Sequence, residues 1–322
     1  MPLLELRENG LYCPSGDFYI DPWAPVERAV ITHAHGDHVC AGSRSYLTSR
    51  PGEPLLRARL GAEASIQSAG YGESLTFGGV SLSLHPAGHI LGSAQVRLEE
   101  NGEVWGVSGD YKMARDPTCA PFEPLRCHTF VTESTFGLPI FRWPAPGEVI
   151  DAIHAWWRAN QESGQPSLLF VHPLGKAQRL LAALDPAIGP IHAHEAVERM
   201  NRLYREQGIA LAPTGPADAP RALILAPPSL HGSPWARRFS NASTALASGW
   251  MRIRGTRRRR SLDRGFVLSD HADWPALLAA IDETRAETVR VTHGYIAPLV
   301  RWLQEHGRRA LAAETHLVEA ES

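Results

Sequence analysis

The chain has 322 residues, 43% of them hydrophobic and 20% charged, with a formal net charge of −2. That is ordinary globular composition, long enough for two domains or one large one, and its near-balanced charge excludes binding through a global field, so an anionic partner must meet a local patch. The opening MPLLELRENG has too short an apolar run for a leader, no stretch approaches the ~18 apolar residues that span a bilayer, and Cys13, Cys40, Cys119 and Cys127 form no CxxC pair, so a cytoplasmic protein with reduced thiols is expected.

In chain order, GDFYID and RAVIT are short strand-like runs. SLTFGGVSLSL holds a Gly-Gly turn between two strands, and AQVRLEENGEVWGVSGD holds Asn101-Gly102 between alternating runs, the pattern of a hairpin. HTFVTEST predicts another strand. GLPIFRWPAPGE (137–148), with three prolines, marks a break. Beyond it the texture is α/β: EVIDAIHAWWRANQESG is helical by its apolar spacing, SLLFVHP a buried strand, LGKAQRLLAALDP a helix, EAVERMNRLYREQG a helix ending near Gly208, and RALILAPPS a strand. This alternation predicts a small parallel-sheet domain. A second break is RIRGTRRRRSLDRG (252–265). FVLSDHADW then reads as strand and turn, WPALLAAIDETRA as helix, TVRVTHGY as strand and APLVRWLQEHG as helix. The return of histidines at these strand ends predicts that the chain rejoins its first domain, leaving the middle as an insertion.

ITHAHGDHVCAG (31–42) concentrates metal-binding side chains: His33, His35, Asp37, His38 and Cys40. His33 and His35 are two apart at a predicted strand end, so alternation puts both on one face. Gly36 permits a tight turn, and Asp37 and His38 follow where a helix would begin. Two halves entering one pocket from different directions favour two ions over one, the first pair for one ion and Asp37-His38 for the other. Imidazole suits zinc, and mixed imidazole and carboxylate also admits manganese or iron. Further ligands are expected at other strand ends: His89 in PAGHILG, Asp110 in VSGDYK as the candidate bridge, and His293 in VTHGY. Glu133 in VTEST and His271 in LSDHADW complete the set.

HAHGDH followed by AGH, SGD and a late THG resembles the metallo-β-lactamase superfamily of metal-dependent hydrolases. VTEST, SDHAD and VTHG, with the inserted α/β segment, resemble its β-CASP branch of nucleic-acid phosphodiesterases. FYIDPW, LGKAQR, SGWMRIRG, LSDHADW and VTHGY are similar to the bacterial ligase-associated DNA exonucleases within that branch. The resemblance implies an αββα sandwich in two parts (1–146 and 257–322) around an inserted smaller α/β domain (147–256). It implies one divalent ion on His33, His35 and His89, a second on Asp37, His38 and His293, and Asp110 between them. The ions would be zinc, with manganese the alternative. Asp21 would support the metal loop without binding metal. Asp37 would also hold the attacking water, and His271, oriented by Glu133, would serve the leaving oxygen or bind phosphate. A DNA exonuclease in repair is implied, in functional association with a DNA ligase and a helicase and away from membranes. His293 keeps an RNA 3′-end-processing nuclease open, because many DNA-cutting members carry an apolar residue there. A small-molecule metallohydrolase or a metal-free binding module would fit the inserted domain and the full ligand set less well.

Substrate contacts are drawn from weaker signals. Residues 252–264 hold Arg252, Arg254, Arg257, Arg258, Arg259, Arg260 and Arg264, either a solvated loop or a phosphate-tracking edge. Lys176, after Gly175 at a helix start, is an exposed first-turn lysine or a phosphate contact. Trp156-Trp157 reads as core. His192 and His194 form a second His-x-His with no Asp-His after it, read as structural or substrate-side.

Overall fold

The computed structural model describes residues 2–215, 221–253, 255 and 261–313. These form two compact units, one of the residues up to Ile140 with those from His271, the other Phe141–Asp270.

The first unit opens with β1 (Glu5–Arg7), β2 (Gly10–Cys13), β3 (Phe18–Ile20), β4 (Arg28–Val30) and β5 (Ser45–Ser49), then α1 (Glu53–Leu60) and β6 (Ile66–Ala69). These six strands make one sheet in sequence order, antiparallel through β3 and parallel after it. A second sheet starts as a meander of β7 (Ser74–Phe77), β8 (Val80–Pro86), β9 (Ala94–Glu100) and β10 (Glu103–Val107). Its β9–β10 turn is Asn101-Gly102, both with positive φ, as the right-handed twist of a two-residue hairpin demands. β11 (Thr129–Ser134) then pairs parallel to β10.

The second unit contributes α2 (Pro146–Glu162), β12 (Ser167–Val171), α3 (Lys176–Ala183), β13 (Ile191–Ala193), α4 (Glu195–Glu206), β14 (Leu223–Ala226), the single turn α5 (Pro234–Arg237), β15 (Ser243–Ala247) and β16 (Arg264–Phe266). Its five strands are all parallel, in the order β13-β14-β12-β15-β16. β12 and β14 are buried throughout, as expected of strands covered on both faces. Trp157, Leu180 and Val197 of α2, α3 and α4 pack with Leu169 and Leu225, while Trp235 and Phe239 pack with Leu168, Phe170 and Ile224. β16 belongs to this sheet, so the second unit runs past residue 256 to Asp270.

The chain then completes the first unit with α6 (Trp274–Thr284), β17 (Thr288–Gly294), α7 (Ile296–Glu305) and β18 (Arg309–Ala312). β17 pairs parallel with β11, and β18 with β17. Leu11, Phe18, Ile20, Val30 and Leu47 of the first sheet meet Leu82, Leu84, Val96, Leu98, Val107 and Val131 of the second, so the two sheets share one apolar layer. Leu56 of α1 covers Ala29, Ile31 and Tyr46 outside the first sheet. Trp274, Ile281, Leu299 and Leu303 of α6 and α7 cover Phe130, Val289 and Val291 outside the second. The layers are therefore helix, sheet, sheet, helix, a mixed α/β architecture. Among the described residues no helix is long and apolar enough to cross a membrane.

The shared layer carries the stability of this unit. Leu98→Ala, at a fully buried position, is expected to lower unfolding free energy by about 2–5 kcal/mol. Leu6→Ala, 44% exposed on the edge strand, is expected to change it by under about 0.5 kcal/mol. Urea unfolding of both variants with unchanged slope tests the difference.

Candidate metal centre

The 31–44 segment after β4 is irregular, with a turn in which the His38 amide donates to the His35 carbonyl, so Asp37 and His38 sit on a loop and not at the helix start that the sequence predicts. α1 braces this loop from outside: Arg59 Nε donates to the Ala34 carbonyl at 2.7 Å. Asp21, one residue past β3, anchors it from within. Its carboxylate accepts from the Thr32 amide (2.8 Å) and the Thr32 hydroxyl (2.6 Å), and meets His38 Nδ1 at 2.7 Å. Holding Nδ1 in this way turns Nε2 of His38 inward.

Five other segments deliver the remaining groups, His271 among them from the stretch just before α6. His89 lies on the turn between β8 and β9, Asp110 just past β10, Glu133 in β11 and His293 near the end of β17. Gly109 permits the approach of Asp110: its φ is +55°, and a Cβ there would stand 2.7 Å from Thr32. His293 has φ +55° and Asp21 φ +43°, left-handed backbone that costs such residues about 1–3 kcal/mol and persists where the surroundings impose it. At His293 the imposing group is Ser134, whose hydroxyl donates to the His293 carbonyl at 2.6 Å.

Three ligand-like groups result. His33, His35, His89 and Asp110 offer atoms within 4.8 Å of one another, as do Asp37, His38 and His293, and again Asp110, Glu133 and His271. All of these residues except the half-buried Asp37 are buried. His35 Nδ1 is 3.1 Å from His89 Nε2, and Asp110 Oδ2 is 3.4 Å from both His33 Nε2 and His38 Nε2. Donors about 2.0–2.1 Å from a tetrahedral ion stand roughly 3.3 Å apart, so the first group has the span of a zinc-sized shell. His33 Nε2, His38 Nε2, Asp37 Oδ1, Asp110 Oδ1 and His293 Nδ1 are buried without a hydrogen bond of proper alignment. Such groups are costly to bury unless something binds them, and a pair of divalent cations satisfies all five. The donor set of the two His/Asp groups therefore fits divalent cations.

Electrostatics point the same way. Burial pushes the His33 imidazole well below its ordinary pKa, with the neighbouring His38 adding to that, so it is a neutral donor. Burial also lowers His38, but Asp110, Asp37 and Asp21 together outweigh it and hold this imidazole well above its ordinary value. Asp110 is desolvated, which raises it, yet His38 and His271 hold it well below the usual carboxylate range. In the third group, His271 Nδ1 faces Glu133 at 3.0 and 3.2 Å, and Glu133 Oε1 also accepts the Tyr111 amide at 2.8 Å.

The sequence singled out every member of these groups. It missed Thr32, Arg59 and Ser134, which hold them. Thr32 adjoins the motif and had a local signal. Arg59 and Ser134 act through backbone carbonyls of distant segments and had none. Lys176 is buried, with Nζ 3.1 Å from Asp270 Oδ1, so the exposed or phosphate-binding ammonium expected at this helix start is instead an internal ion pair. The neighbouring Arg179 donates to the Ser269 carbonyl. Arg257, Arg258, Arg259 and Arg260, with Arg254, lie outside the described residues. Trp156 and Trp157 are buried core.

No family model matches the chain. A protein of Opitutus terrae named probable DNA ligase is 32% identical over 311 residues, covering 94% of this chain and 30% of that protein. Endoribonuclease YSH1 of Yarrowia lipolytica is 30% identical over 126 residues, 37% of this chain and 14% of its own length. Cleavage and polyadenylation specificity factor 73 of Drosophila melanogaster is 29% identical over 138 residues, 41% of this chain and 20% of its own length. The chain thus spans less than a third of any of these three relatives. Among solved structures, a protein of unknown function from Enterococcus faecalis V583 shares the fold, with a TM-score of 0.58 at 12% identity over 91% of this chain and 80% of that one.

The Lys176–Asp270 pair has a measurable signature. Lys176→Met alone, which leaves Asp270 buried without its ammonium, is expected to cost about 3–5 kcal/mol. Lys176→Met combined with Asp270→Leu is expected to recover most of that in urea unfolding.

Proposed function

We propose that this chain is a metal-dependent phosphodiesterase of the metallo-β-lactamase type with a β-CASP insertion, acting as a DNA exonuclease in repair. The observation that carries the reading is the approach of His33 and His38, one from each His/Asp group, to 3.4 Å from the buried carboxylate of Asp110, with the Glu133–His271 pair against it. The inserted parallel-sheet unit and the likeness to proteins named as nucleic-acid enzymes support it. His33, His35 and His89 would hold one ion, Asp37, His38 and His293 the other, with Asp110 between them. When bound, the two ions, zinc or alternatively manganese, neutralise charge on the phosphoryl oxygens and acidify water.

The chain's own residues supply the remainder. Asp37, the most exposed of these groups, accepts a hydrogen bond from the attacking water and orients it. Glu133 accepts a hydrogen bond from Nδ1–H of His271 and stabilises the imidazolium. That leaves Nε2–H to donate to the departing oxygen as the P–O bond breaks. Asp21 holds His38 in one tautomer throughout.

A second reading, an RNA 3′-end nuclease, is favoured by His293 and by relatives named endoribonuclease. The ligase association is supported by the Opitutus protein, in which the region like this chain is one part of a longer protein named for ligation.

End-labelled DNA and RNA of one sequence, incubated across a zinc, manganese and magnesium series, test the substrate. Metal-dependent release of nucleotides from DNA, faster than from RNA, is expected. Faster RNA cleavage would transfer the assignment to the second reading. His35→Ala and Asp37→Ala are expected to abolish cleavage, and digestion at the wild-type rate by either would sink the proposal. His271→Ala is expected to lower kcat by about 10²–10⁴-fold at unchanged metal content, the range for a general acid.

A further inference from the structure

The second His-x-His takes no part in the metal centre. His192 and His194 instead line a cavity of about 590 Å³ in the second unit, with Glu195, Glu198, Thr214, Trp235 and Arg238. It lies at the carboxyl end of the edge strand β13, and its volume is in the range of small-molecule sites.

Hydrogen bonds to the main chain settle the tautomers of both rings. His192 Nδ1 faces the Gly215 carbonyl, which can only accept, so Nδ1 carries a proton and in that tautomer Nε2 is an acceptor. His194 Nδ1 accepts from the Ala196 amide at 3.1 Å, so its proton is on Nε2, a donor. Burial lowers the His194 pKa, which keeps that ring neutral near neutral pH. His192 lies in β13 and His194 caps the start of α4, and both line the cavity, so its wall offers an acceptor and a donor. Every nucleobase presents the complementary pair on its Watson–Crick edge. The Trp235 indole meets His194 edge-on at 4.9 Å between centroids and supplies a flat apolar surface. The exposed guanidinium of Arg238, 6.0 Å from the Trp235 ring, adds positive charge at the rim. Glu198 is engaged by Asn201 and Thr214 and is paired with Arg205.

We propose that this cavity binds one nucleotide, its base edge on His192 and His194, its ring against Trp235 and its phosphate at Arg238. The choice of a nucleotide rests on the reading of the chain as a nucleic-acid enzyme. The site distinguishes a base from its absence and not one base from another, since all four carry a neighbouring donor and acceptor. The same chemistry serves a residue of a single strand and a released mononucleotide.

The test is calorimetric titration of the full chain in EDTA with dAMP, AMP, ribose 5-phosphate and the dinucleotide d(ApA). Binding of dAMP or AMP at least tenfold tighter than ribose 5-phosphate is expected. His192→Ala is expected to remove that preference, and Arg238→Gln to weaken all phosphate ligands alike. Tighter binding of d(ApA) than dAMP marks a strand site, and the reverse a product site. Ultraviolet cross-linking of wild-type protein to labelled dAMP, mapped to the peptide bearing Trp235, places the ligand without any variant. Equal binding of ribose 5-phosphate and dAMP, no binding, or a cross-link elsewhere would overturn the inference. Because no metal is present, a chain that cuts DNA but binds no dAMP loses only this inference. One that binds dAMP but cuts nothing loses only the phosphodiesterase reading.

Discussion

The fold of the first unit is organised around the burial of Asp110. Its carboxylate lies 3.4 Å from the Nε2 atoms of both His33 and His38, with His271 Nδ1 4.0 Å away. A charge so placed is paid for by opposite charge or not tolerated at all. The groups around it come from five segments of the chain, so their mutual attraction and the cations they fit tie those segments together. The surrounding apolar sheets exclude water, which raises the cost of any missing partner and the strength of each one present.

That demand explains the unusual backbone nearby. Asp21 and His293 adopt left-handed φ values without being glycine. Each is restrained by side-chain bonds, Asp21 through Thr32 and His38, His293 through Ser134. Gly109 supplies the close approach where no side chain would fit. The rigid parts are the strands, and the chemistry is carried on the loops at their ends, where backbone can turn sharply and side chains converge.

Much of the local structure was legible. Asn101-Gly102 announced its hairpin because only residues tolerant of positive φ close a two-residue turn. The helices α2, α4 and α6 showed apolar spacing over two or more turns. The short strands β5, β13 and β15 carried too few residues for a period to emerge, and α1, a single amphipathic stretch of mixed polarity, passed without a distinct signal. The sequence places Asp37 and His38 where a helix would begin. Tertiary hydrogen bonds from Asp21 and Arg59 hold the 31–44 loop irregular instead.

By itself the sequence determined which residue types gather for metal chemistry, because His, Asp and Gly at such spacings have few other uses. It also determined the amphipathic faces that build the two layered sheets and the parallel-sheet insertion. The tertiary structure alone decided partnerships. It assigned Lys176 to Asp270 in the interior, gave His38 its tautomer through Asp21, and fixed His192 and His194 as an acceptor and a donor facing one cavity. The reason is physical: periodicity reports which side of an element is buried, whereas a hydrogen bond depends on which distant group arrives within 3 Å, and that is set only when the whole chain has packed.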